Sequence, residues 1–313
     1  MKLQAFEKFG LSYELTARKR NAAGMVVSER KSARCPNLFT NNGIDDIGKN
    51  AITFFCVGTG NTPPTYTDVS LANFLAGITN GSFNWVSFSR TDLGNGKYEL
   101  VDTRSEVFAV GAATGNIAEV GAAARATATP ASATLLCSRA LVVDGAGNPT
   151  TFTVQADEEL QLTVFATKIV DYTDRVSSIV VNGVTYSVTA RPIRLSFARA
   201  TDNRGYPSTA VNSMGIMYGT VTLADPITGS ASSTEGSDNT AQGIVMTTAP
   251  YVNGSKLTSY TLSKGTGLAK NIGGLSIGAS ITGEWQVKFD PTIPKTALQK
   301  FTCSFSLSLN QVP

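Results

Sequence analysis

The segment Phe301-Thr302-Cys303-Ser304-Phe305-Ser306-Leu307-Ser308-Leu309 alternates an apolar residue with a hydroxyl-bearing residue over its whole length. Successive side chains of a β-strand point to opposite faces, so this alternation predicts a strand with one buried and one solvated face. Such a strand needs a second apolar layer against its buried face. The segment therefore favours an all-β chain of packed sheets.

The same period and a set of turn signals recur upstream. Leu160-Gln161-Leu162-Thr163-Val164 repeats the alternation, and Asn95-Gly96, Asn182-Gly183 and Asn253-Gly254 can adopt the positive φ values of two-residue hairpin turns. Residues 144–149 are expected to close another hairpin, with the proline at an edge or a strand start because it cannot donate to a ladder. Together these features predict an all-β fold, an antiparallel β-sandwich of jelly-roll or Ig-like type with long loops and little helix.

Helix is expected in only two short segments. They cover residues 42–50 and 68–76, where Asp68 offers an N-cap side chain for the second. The alanine-rich segment 122–134 is broken by threonines and a proline and is expected to be a solvated loop. Residues 229–243 are almost wholly small and polar, which favours an exposed loop or a segment ordered only by a neighbouring subunit.

Composition excludes some classes of protein. The 313 residues carry 26 Lys and Arg against 23 Asp and Glu, a net charge of +3, which is far from the basic excess of a dedicated nucleic-acid binder. No window reaches the roughly 20 apolar residues of a membrane helix. The first residues carry charges where a signal peptide has an apolar core, so we expect assembly in a reducing cytoplasm.

The residue types needed for common chemistry are scarce. Histidine is absent, which removes the commonest general acid or base and the commonest transition-metal ligand. The cysteines show no Cys-x-x-Cys spacing, and we expect buried, unpaired side chains at Cys35, Cys56, Cys137 and Cys303. We therefore predict no catalytic, cofactor-binding or metal-binding residues and no cofactor.

Two glycine-containing loops imitate ligand-binding motifs. Gly58-Thr59-Gly60-Asn61 follows a predicted strand, but a dinucleotide fingerprint needs a third glycine and a helix, and Pro63-Pro64 blocks a helix start. Residues 144–148 have the oxygen content of a calcium loop but lack its later glutamate and its alternate-position ligands. We expect no nucleotide at the first loop and a hairpin turn at the second.

Carboxylates could in principle support hydrolysis of a polysaccharide. Asp157-Glu158-Glu159 and Glu119 are the candidates, since glycosidases use a pair of carboxyl groups. Adjacent carboxylates on a strand point to opposite faces, however, and the sequence does not specify the separation that the mechanism needs. We expect these residues to mark solvated strand starts.

Aromatic residues could form a platform for a sugar. The candidates are Phe83, Trp85, Tyr98, Trp285 and Phe289. Trp285-Gln286-Val287-Lys288-Phe289 alternates like an ordinary strand, so we expect its tryptophan in the core. For Trp85 a core position and a surface position both stay open.

The densest group of charges near either end is basic. It comprises Arg18-Lys19-Arg20, Arg30-Lys31 and Arg34. The group is interpreted as a solvated hairpin, with a rim contact to an acidic neighbour in an assembly as the alternative. Phosphate binding lacks the interleaved aromatics that would support it.

Several short sequence motifs occur in a fixed order along the chain. They are residues 114–121 (TGNIAEVG), 138–151 (SRALVVDGAGNPTT) and 156–163 (ADEELQLT), with further phrases at 42–48, 56–64, 68–72 and 289–296. In this order they resemble a family of tailed-bacteriophage virion proteins, described as tail-fibre, collar or minor tail components. The resemblance implies a building block and not a catalyst.

The expected function follows from that resemblance. It is a non-enzymatic phage virion structural protein of the tail, collar or fibre region, a symmetric homo-oligomer (ring or trimer) that contacts other virion proteins. The alternatives are a receptor- or glycan-binding tail module using loops at 78–85 and 229–243, and a polysaccharide-degrading tail enzyme. We expect the protein in the virion after assembly in the host cytoplasm. A host surface receptor is a candidate partner, while a membrane or a nucleic acid is not expected.

The domain organisation has two readings. One is a single β-rich unit over residues 1–313, favoured by the family-like phrase at 289–296. The other divides the chain near residue 170, at the polar break 171–175, into a family-like part, 1–170, and a second β part, 171–313. In both readings the last strand, 300–309, returns to the sandwich.

Overall fold

A computed structural model describes residues 2–4, 8–43, 54–79, 85–123, 136–193, 211–225, 232–238, 245–279 and 283–311. This part of the chain is nearly all β-strand, and most of its strand pairs are antiparallel, so the all-β sandwich prediction is confirmed. The strands are, in chain order, β1 (Lys2–Gln4), β2 (Lys8–Arg20), β3 (Val26–Lys31), β4 (Cys35–Pro36), β5 (Leu38–Phe39), β6 (Phe54–Gly58), β7 (Phe74–Thr79), β8 (Trp85–Gly94), β9 (Lys97–Phe108), β10 (Gly115–Ile117), β11 (Glu119–Ala123), β12 (Leu136–Leu141), β13 (Phe152–Val154), β14 (Glu158–Asp171), β15 (Arg175–Val181), β16 (Val184–Ile193), β17 (Val211–Tyr218), β18 (Val221–Thr222), β19 (Ser232–Ser233), β20 (Ser237–Asp238), β21 (Val245–Thr248), β22 (Ser255–Lys264), β23 (Ile272–Ala279), β24 (Gly283–Ile293) and β25 (Phe301–Asn310).

Two sheets enclose the first core. Sheet I has the order β3-β2-β14-β9-β8, with β4 also paired to β2, and sheet II has the order β5-β12-β11-β6-β7. Inward-facing residues of both sheets form one hydrophobic cluster, to which the alternating Leu160, Leu162 and Val164 belong. We call this pair of sheets the first sandwich. Along β2 and along β14 from Leu160 to Ala166, every second residue is apolar and belongs to this cluster.

Two further sheets enclose a second core. Sheet III has the order β15-β16-β24-β23-β17-β20, and sheet IV has the order β1-β25-β22-β21. Their shared cluster contains Trp285, Phe305 and Leu307, with Phe301 and Cys303 packed against it at partial exposure. We call this pair the second sandwich. The alternation of the last strand is therefore confirmed.

The two ends of the chain meet in sheet IV. β1 pairs in parallel with β25, in the register Lys2 to Ser306, Leu3 to Leu307 and Gln4 to Ser308. β2, which follows β1 after residues 5–7, belongs to sheet I of the first sandwich. The amino-terminal segment therefore links the two sandwiches through backbone hydrogen bonds.

Polar contacts near the carboxyl end also join the sandwiches. The Gln311 side chain donates to the Asn37 carbonyl oxygen at 3.3 Å, and its backbone N–H donates to the Gly254 carbonyl oxygen at 2.8 Å. The backbone N–H of Asn253 donates to Oδ1 of Asn41 at 2.9 Å. Both sandwiches thus contribute atoms to this junction.

The turn predictions are confirmed. Asn95, Asn182 and Asn253 have φ values of 53°, 51° and 46°, and each is followed by a glycine of positive φ. Val143 bridges Pro149, and Oδ1 of Asp144 accepts the backbone N–H groups of Ala146 and Asn148, both at 2.9 Å. These short loops fold as local hydrogen bonding dictates.

The helix predictions fare differently. The 68–76 helix is wrong, because Asp68 accepts hydrogen bonds from Thr65 and from Arg139, and the chain enters β7 at Phe74. Residues 41–43 form a helical turn, while 44–50 lie outside the described residues. No helical segment within the described ranges is long and apolar enough to span a bilayer.

The loop and domain predictions are answered only in part. Within 229–243 the described residues 232–238 are mostly exposed but include β19 and β20, paired to β18 and β17, while the rest of that loop lies outside the described residues. Of the predicted loop 122–134, Ala122 and Ala123 belong to β11 and the remainder is not described. The last strand pairs with β22 and β1. Whether 1–313 is one unit or divides near residue 170 stays a prediction.

Candidate functional site

A buried carboxylate lies at the centre of a polar network beside sheet II. Glu119 begins β11, a strand between β12 and β6 whose residues are all buried. Its side chain accepts backbone N–H groups from Gly60 at 3.0 Å, Ala72 at 3.0 Å and Asn73 at 2.7 Å. One carboxylate thereby holds both ends of the loop between β6 and β7.

Arg139 completes this network from the neighbouring strand. Its Nε lies 2.8 Å from Oε2 of Glu119, and its Nη1 lies 2.7 Å from Oδ2 of Asp68. Nη2 donates to the carbonyl oxygen of Thr62 at 2.9 Å. Although burial acts to raise the pKa of Asp68, hydrogen bonds from Thr65 and Arg139 hold that pKa below its ordinary value. We call Glu119, Arg139 and Asp68 the loop clamp.

The loop clamp explains the glycine pair that imitates a nucleotide motif. A Cβ atom on Gly58 would lie 2.6 Å from Oε1 of Glu119, and one on Gly60 would lie 2.5 Å from the same oxygen. Side chains at these positions would displace the carboxylate, so glycine gives the close approach that it needs. The pair makes room for an internal carboxylate.

The expectation of solvated carboxylates is wrong for two of the four. Glu119 is fully buried, and Glu158 is nearly so. Glu158 lies 2.6 Å from Nη2 of Arg30 and accepts the Gln155 backbone N–H at 2.8 Å. Burial acts to raise the pKa of Glu158, but these hydrogen bonds hold it below its ordinary value. Each of these two carboxylates has an arginine partner, 20 positions away for Glu119 and 128 positions away for Glu158.

The basic group lies on a hairpin, as expected. β2 and β3 pair with each other, and their arginines and lysines meet carboxylates of the same chain. The pairs are Arg18 with Glu29, Lys19 with Asp157, Arg20 with Glu159 and Arg30 with Glu158. A rim contact with an acidic neighbour stays a prediction.

A second group of buried charges faces the interior of the first sandwich. Asp102, Arg104 and Glu106 occupy alternate positions of β9 between Leu100 and Phe108, and all three are buried. On the neighbouring strand β14, Lys168 is fully buried. We call Asp102, Arg104, Glu106 and Lys168 the charged row. None of the sequence predictions includes these residues, although the period of two from Leu100 to Phe108 is a signal that indicates them.

Burial perturbs two groups of the charged row. It raises the pKa of Asp102 to about 6, although Lys168 and Arg104 attract the carboxylate form. It lowers the pKa of Lys168 to about 7, although Asp102 acts in the opposite direction. Oδ2 of Asp102 has no hydrogen-bond partner among the described residues. Desolvation is therefore the dominant effect on this pair.

The aromatic candidates that the structure describes lie in two different sandwiches. Trp285 and Phe289 are buried in the second core, as predicted for Trp285. Tyr98 packs edge-on against Tyr172 in the first sandwich, with ring centroids 5.4 Å apart. Phe83 and the side chain of Trp85 lie outside the described residues.

The cysteines are mostly interior. Three of them are fully buried, namely Cys35, Cys56 and Cys137, as expected. Cys303 is half-buried against the second core. Burial raises the pKa of the Cys35 and Cys303 thiols.

Apolar side chains are exposed on strands at sheet edges. Val176 and Val180 of β15 are 71% and 68% exposed, and β15 pairs only with β16 in the described part of sheet III. β3, at an edge of sheet I, exposes Val26 and Val27 but also carries Glu29, Arg30 and Lys31. β15 bears one charge, Arg175, at its first residue. It is therefore the less protected edge of the two.

The loop clamp ties the loop between β6 and β7 to β11 and β12. In the part of the chain that the structure describes, no group of three or more His, Cys, Asp or Glu side chains is placed to hold a metal ion. Comparisons with protein-family models, with curated proteins and with solved structures return no match for this chain.

Proposed function

We propose that this chain is a non-enzymatic structural protein of a tailed-bacteriophage virion, from its tail, collar or fibre region, and that it works as a symmetric homo-oligomer. The resemblance of its sequence phrases to such proteins is the source of the family assignment. The observation that carries the assembly role is the valine-bearing edge strand β15.

The physical reason lies in what an unprotected edge presents. An edge strand has a row of unpaired backbone N–H and C=O groups, and soluble proteins usually blunt it with charges, prolines or bulges. Residues 176–181 contain none of the charged residues or prolines that do so. Exposed valines beside such groups favour burial against another chain. A virion protein, which is surrounded by other subunits, tolerates this exposure because assembly removes it.

Two further observations support a structural role over the alternatives. Trp285 and Phe289 are buried, so they do not supply the sugar-stacking surface that the glycan-binding alternative requires. Glu119 and Glu158, two of the carboxylates considered for hydrolysis, are engaged by arginines and backbone N–H groups. These carboxylates stabilise the fold.

The test measures the mass of the assembly. Light scattering after size-exclusion chromatography should give a multiple of the chain mass, and negative-stain images should show a ring or a trimer. The double variant Val176→Lys/Val180→Lys should lower the mass of the assembly, because two charges would be desolvated at the interface. Val110→Lys/Leu298→Lys is the matched control, since these side chains are also exposed but lie in turns outside the strands.

Two results would overturn the proposal. One is a wild-type chain that stays monomeric at all concentrations. The other is release of reducing sugar from a capsular polysaccharide by the purified chain, because a structural subunit has no such activity.

A further inference from the structure

One tyrosine reaches from the second sandwich into the core of the first. Tyr251 lies between β21 and β22, two strands of sheet IV. Its side chain is only 1% exposed and belongs to the hydrophobic cluster of the first sandwich. A buried aromatic ring stabilises such a contact through the large apolar area that it removes from water. Tyr251 therefore anchors sheet IV in the first core.

Gln311 fixes the same place through its side-chain amide. It directly follows β25 of sheet IV. Its side-chain oxygen accepts the backbone N–H of Phe39 at 3.1 Å, and its side-chain nitrogen donates to the carbonyl oxygen of Asn37 at 3.3 Å. The hydroxyl of Tyr251 donates to the same side-chain oxygen at 3.3 Å. One amide thus joins the anchor ring to the backbone at β5 of the first sandwich.

The turn that leads into β22 docks on the first sandwich as well. Its backbone N–H at Asn253 donates to Oδ1 of Asn41 at 2.9 Å. A Cβ atom on Gly254 would lie 3.2 Å from the hydroxyl oxygen of Tyr66, so the turn approaches that ring closely. We call Tyr251, Asn253, Gly254 and Gln311 the latch.

The covalent connection from the first sandwich to the second is also held at both ends. β14 is followed, after residues 172–174, by β15. Tyr172 is buried in the first core, and its backbone N–H donates to the Gly96 carbonyl oxygen at 2.9 Å. Nε of Arg191, on β16 of the second sandwich, donates to Oδ1 of Asp174 at 2.6 Å. A connection with a core residue and an ion pair differs from the exposed, flexible linkers in which domain boundaries usually fall.

We infer that the latch couples the two sandwiches, so that they unfold as one cooperative unit and not as two independent domains. The polar break at 171–175 is then a connection inside that unit. Domains joined only by a small polar interface move relative to one another by default. Here a buried ring and a side-chain amide oppose that movement. The coupling is a property of the single chain and does not depend on the proposed virion function or on an oligomer.

Two probes in the full chain follow the two sandwiches separately. Trp285 is fully buried in the second core, and with Trp85→Phe its fluorescence becomes the only tryptophan signal of the chain. With Cys303→Ser, labelling by a thiol reagent reports the first sandwich, because the three remaining cysteines are buried there, namely Cys35, Cys56 and Cys137. This background chain is unfolded in urea and followed with both probes.

The two urea midpoints should coincide in the background chain, as for a single cooperative transition. Tyr251→Ala/Gln311→Ala should separate them. The thiol-labelling midpoint should fall to a lower urea concentration than the fluorescence midpoint, because the first core loses its anchor ring. Gln311→Ala alone takes no apolar side chain from either core, so it guards against a double variant that does not fold. It should give a smaller separation in the same direction.

Tyr260→Ala is the matched control. Tyr260 is as deeply buried as Tyr251, at 1% exposure, but it lies within the second core and outside the latch. The same substitution there should lower both midpoints together, because the latch still couples the sandwiches.

The outcomes decide between one unit and two. Separate midpoints in the background chain would show independent domains and overturn the inference. Coincident midpoints in the latch variants would overturn it as well, because the coupling would then lie elsewhere. Midpoints that separate in the latch variants and stay together in Tyr260→Ala support it.

Discussion

The loop clamp and the charged row both bury charges in the first sandwich, but they satisfy those charges differently. In the loop clamp, Glu119 accepts backbone N–H groups and meets Arg139, with all contacts between 2.7 and 3.0 Å. In the charged row, Oδ2 of Asp102 has no hydrogen-bond partner among the described residues. The comparison teaches that short hydrogen bonds from backbone N–H groups and an arginine stabilise the buried Glu119 carboxylate, whereas at Asp102 desolvation outweighs the attraction of Lys168 and Arg104.

Removing the arginine of the loop clamp should have the largest effect. Arg139→Met leaves Glu119 without its ion pair and releases Asp68 and the Thr62 carbonyl group. Breaking a buried pair from one side costs about 3–5 kcal/mol of the free energy of unfolding. Chemical denaturation of the purified variant measures that loss.

The control for this variant is Arg20→Met. Arg20 pairs with Glu159 at the surface, where solvent screens the interaction. Equal losses of stability in the two variants would show that the loop clamp contributes no more than a surface pair.

The charged row should make stability depend on pH in a specific way. Asp102 binds its proton more tightly in the folded chain, so its contribution to the free energy of unfolding is lost as the pH rises from about 4 towards about 6. Lys168 releases its proton more readily in the folded chain, so stability is regained as the pH rises above about 7. We therefore expect a minimum between these values.

Denaturation at a series of pH values checks this minimum. The recovery between pH 7 and 9 should be on the order of 2 kcal/mol, since each pKa unit corresponds to about 1.4 kcal/mol. The Lys168→Met variant should lose this recovery. A recovery of the same size in that variant would assign the effect to another group.

A substitution in the glycine pair, Gly58 and Gly60, should lower the free energy of unfolding by the smallest amount of the three changes. A Cβ on Gly60 would also lie 2.6 Å from the Cβ of Ala72, so Gly60→Ala forces Glu119 and the loop to shift. Overpacking of this kind costs about 1–2 kcal/mol, within the range seen for well-packed cores.

Gly145→Ala is the matched control, because a Cβ there meets nothing within 4 Å. Thermal unfolding of the two variants compares them directly. If Gly60→Ala is as stable as Gly145→Ala, then the contact with Glu119 does not require a glycine.

Local patterns in the sequence predicted the local parts of the fold. The alternation around Leu162 and the turn at Asn182-Gly183 depend on neighbouring residues alone, and both are confirmed. The 68–76 helix failed because the Asp68 side chain is engaged by Arg139, which lies 71 positions away. A distant partner of this kind leaves no trace in a local window.

The site shows the same limit. Glu119 seemed solvated because its three backbone donors come from the loop between β6 and β7, at separations of 46 to 59 residues. The charged row did leave a local signal in the alternation of β9, but charges at core positions contradict the usual pattern of a buried face. The proposed assembly role of β15 depends on its position at the edge of sheet III. The order of strands in a sheet cannot be read from a local stretch of sequence.

The parallel pairing of β1 with β25 also has a mechanical consequence. Tension applied to the two ends of the chain would pull Lys2 and Asn310 in opposite directions along the same axis, because parallel strands point the same way. The hydrogen bonds between these strands would then be loaded in shear, so that they bear the force together and do not break one after another. A chain that is tethered at both ends would resist extension at this contact first.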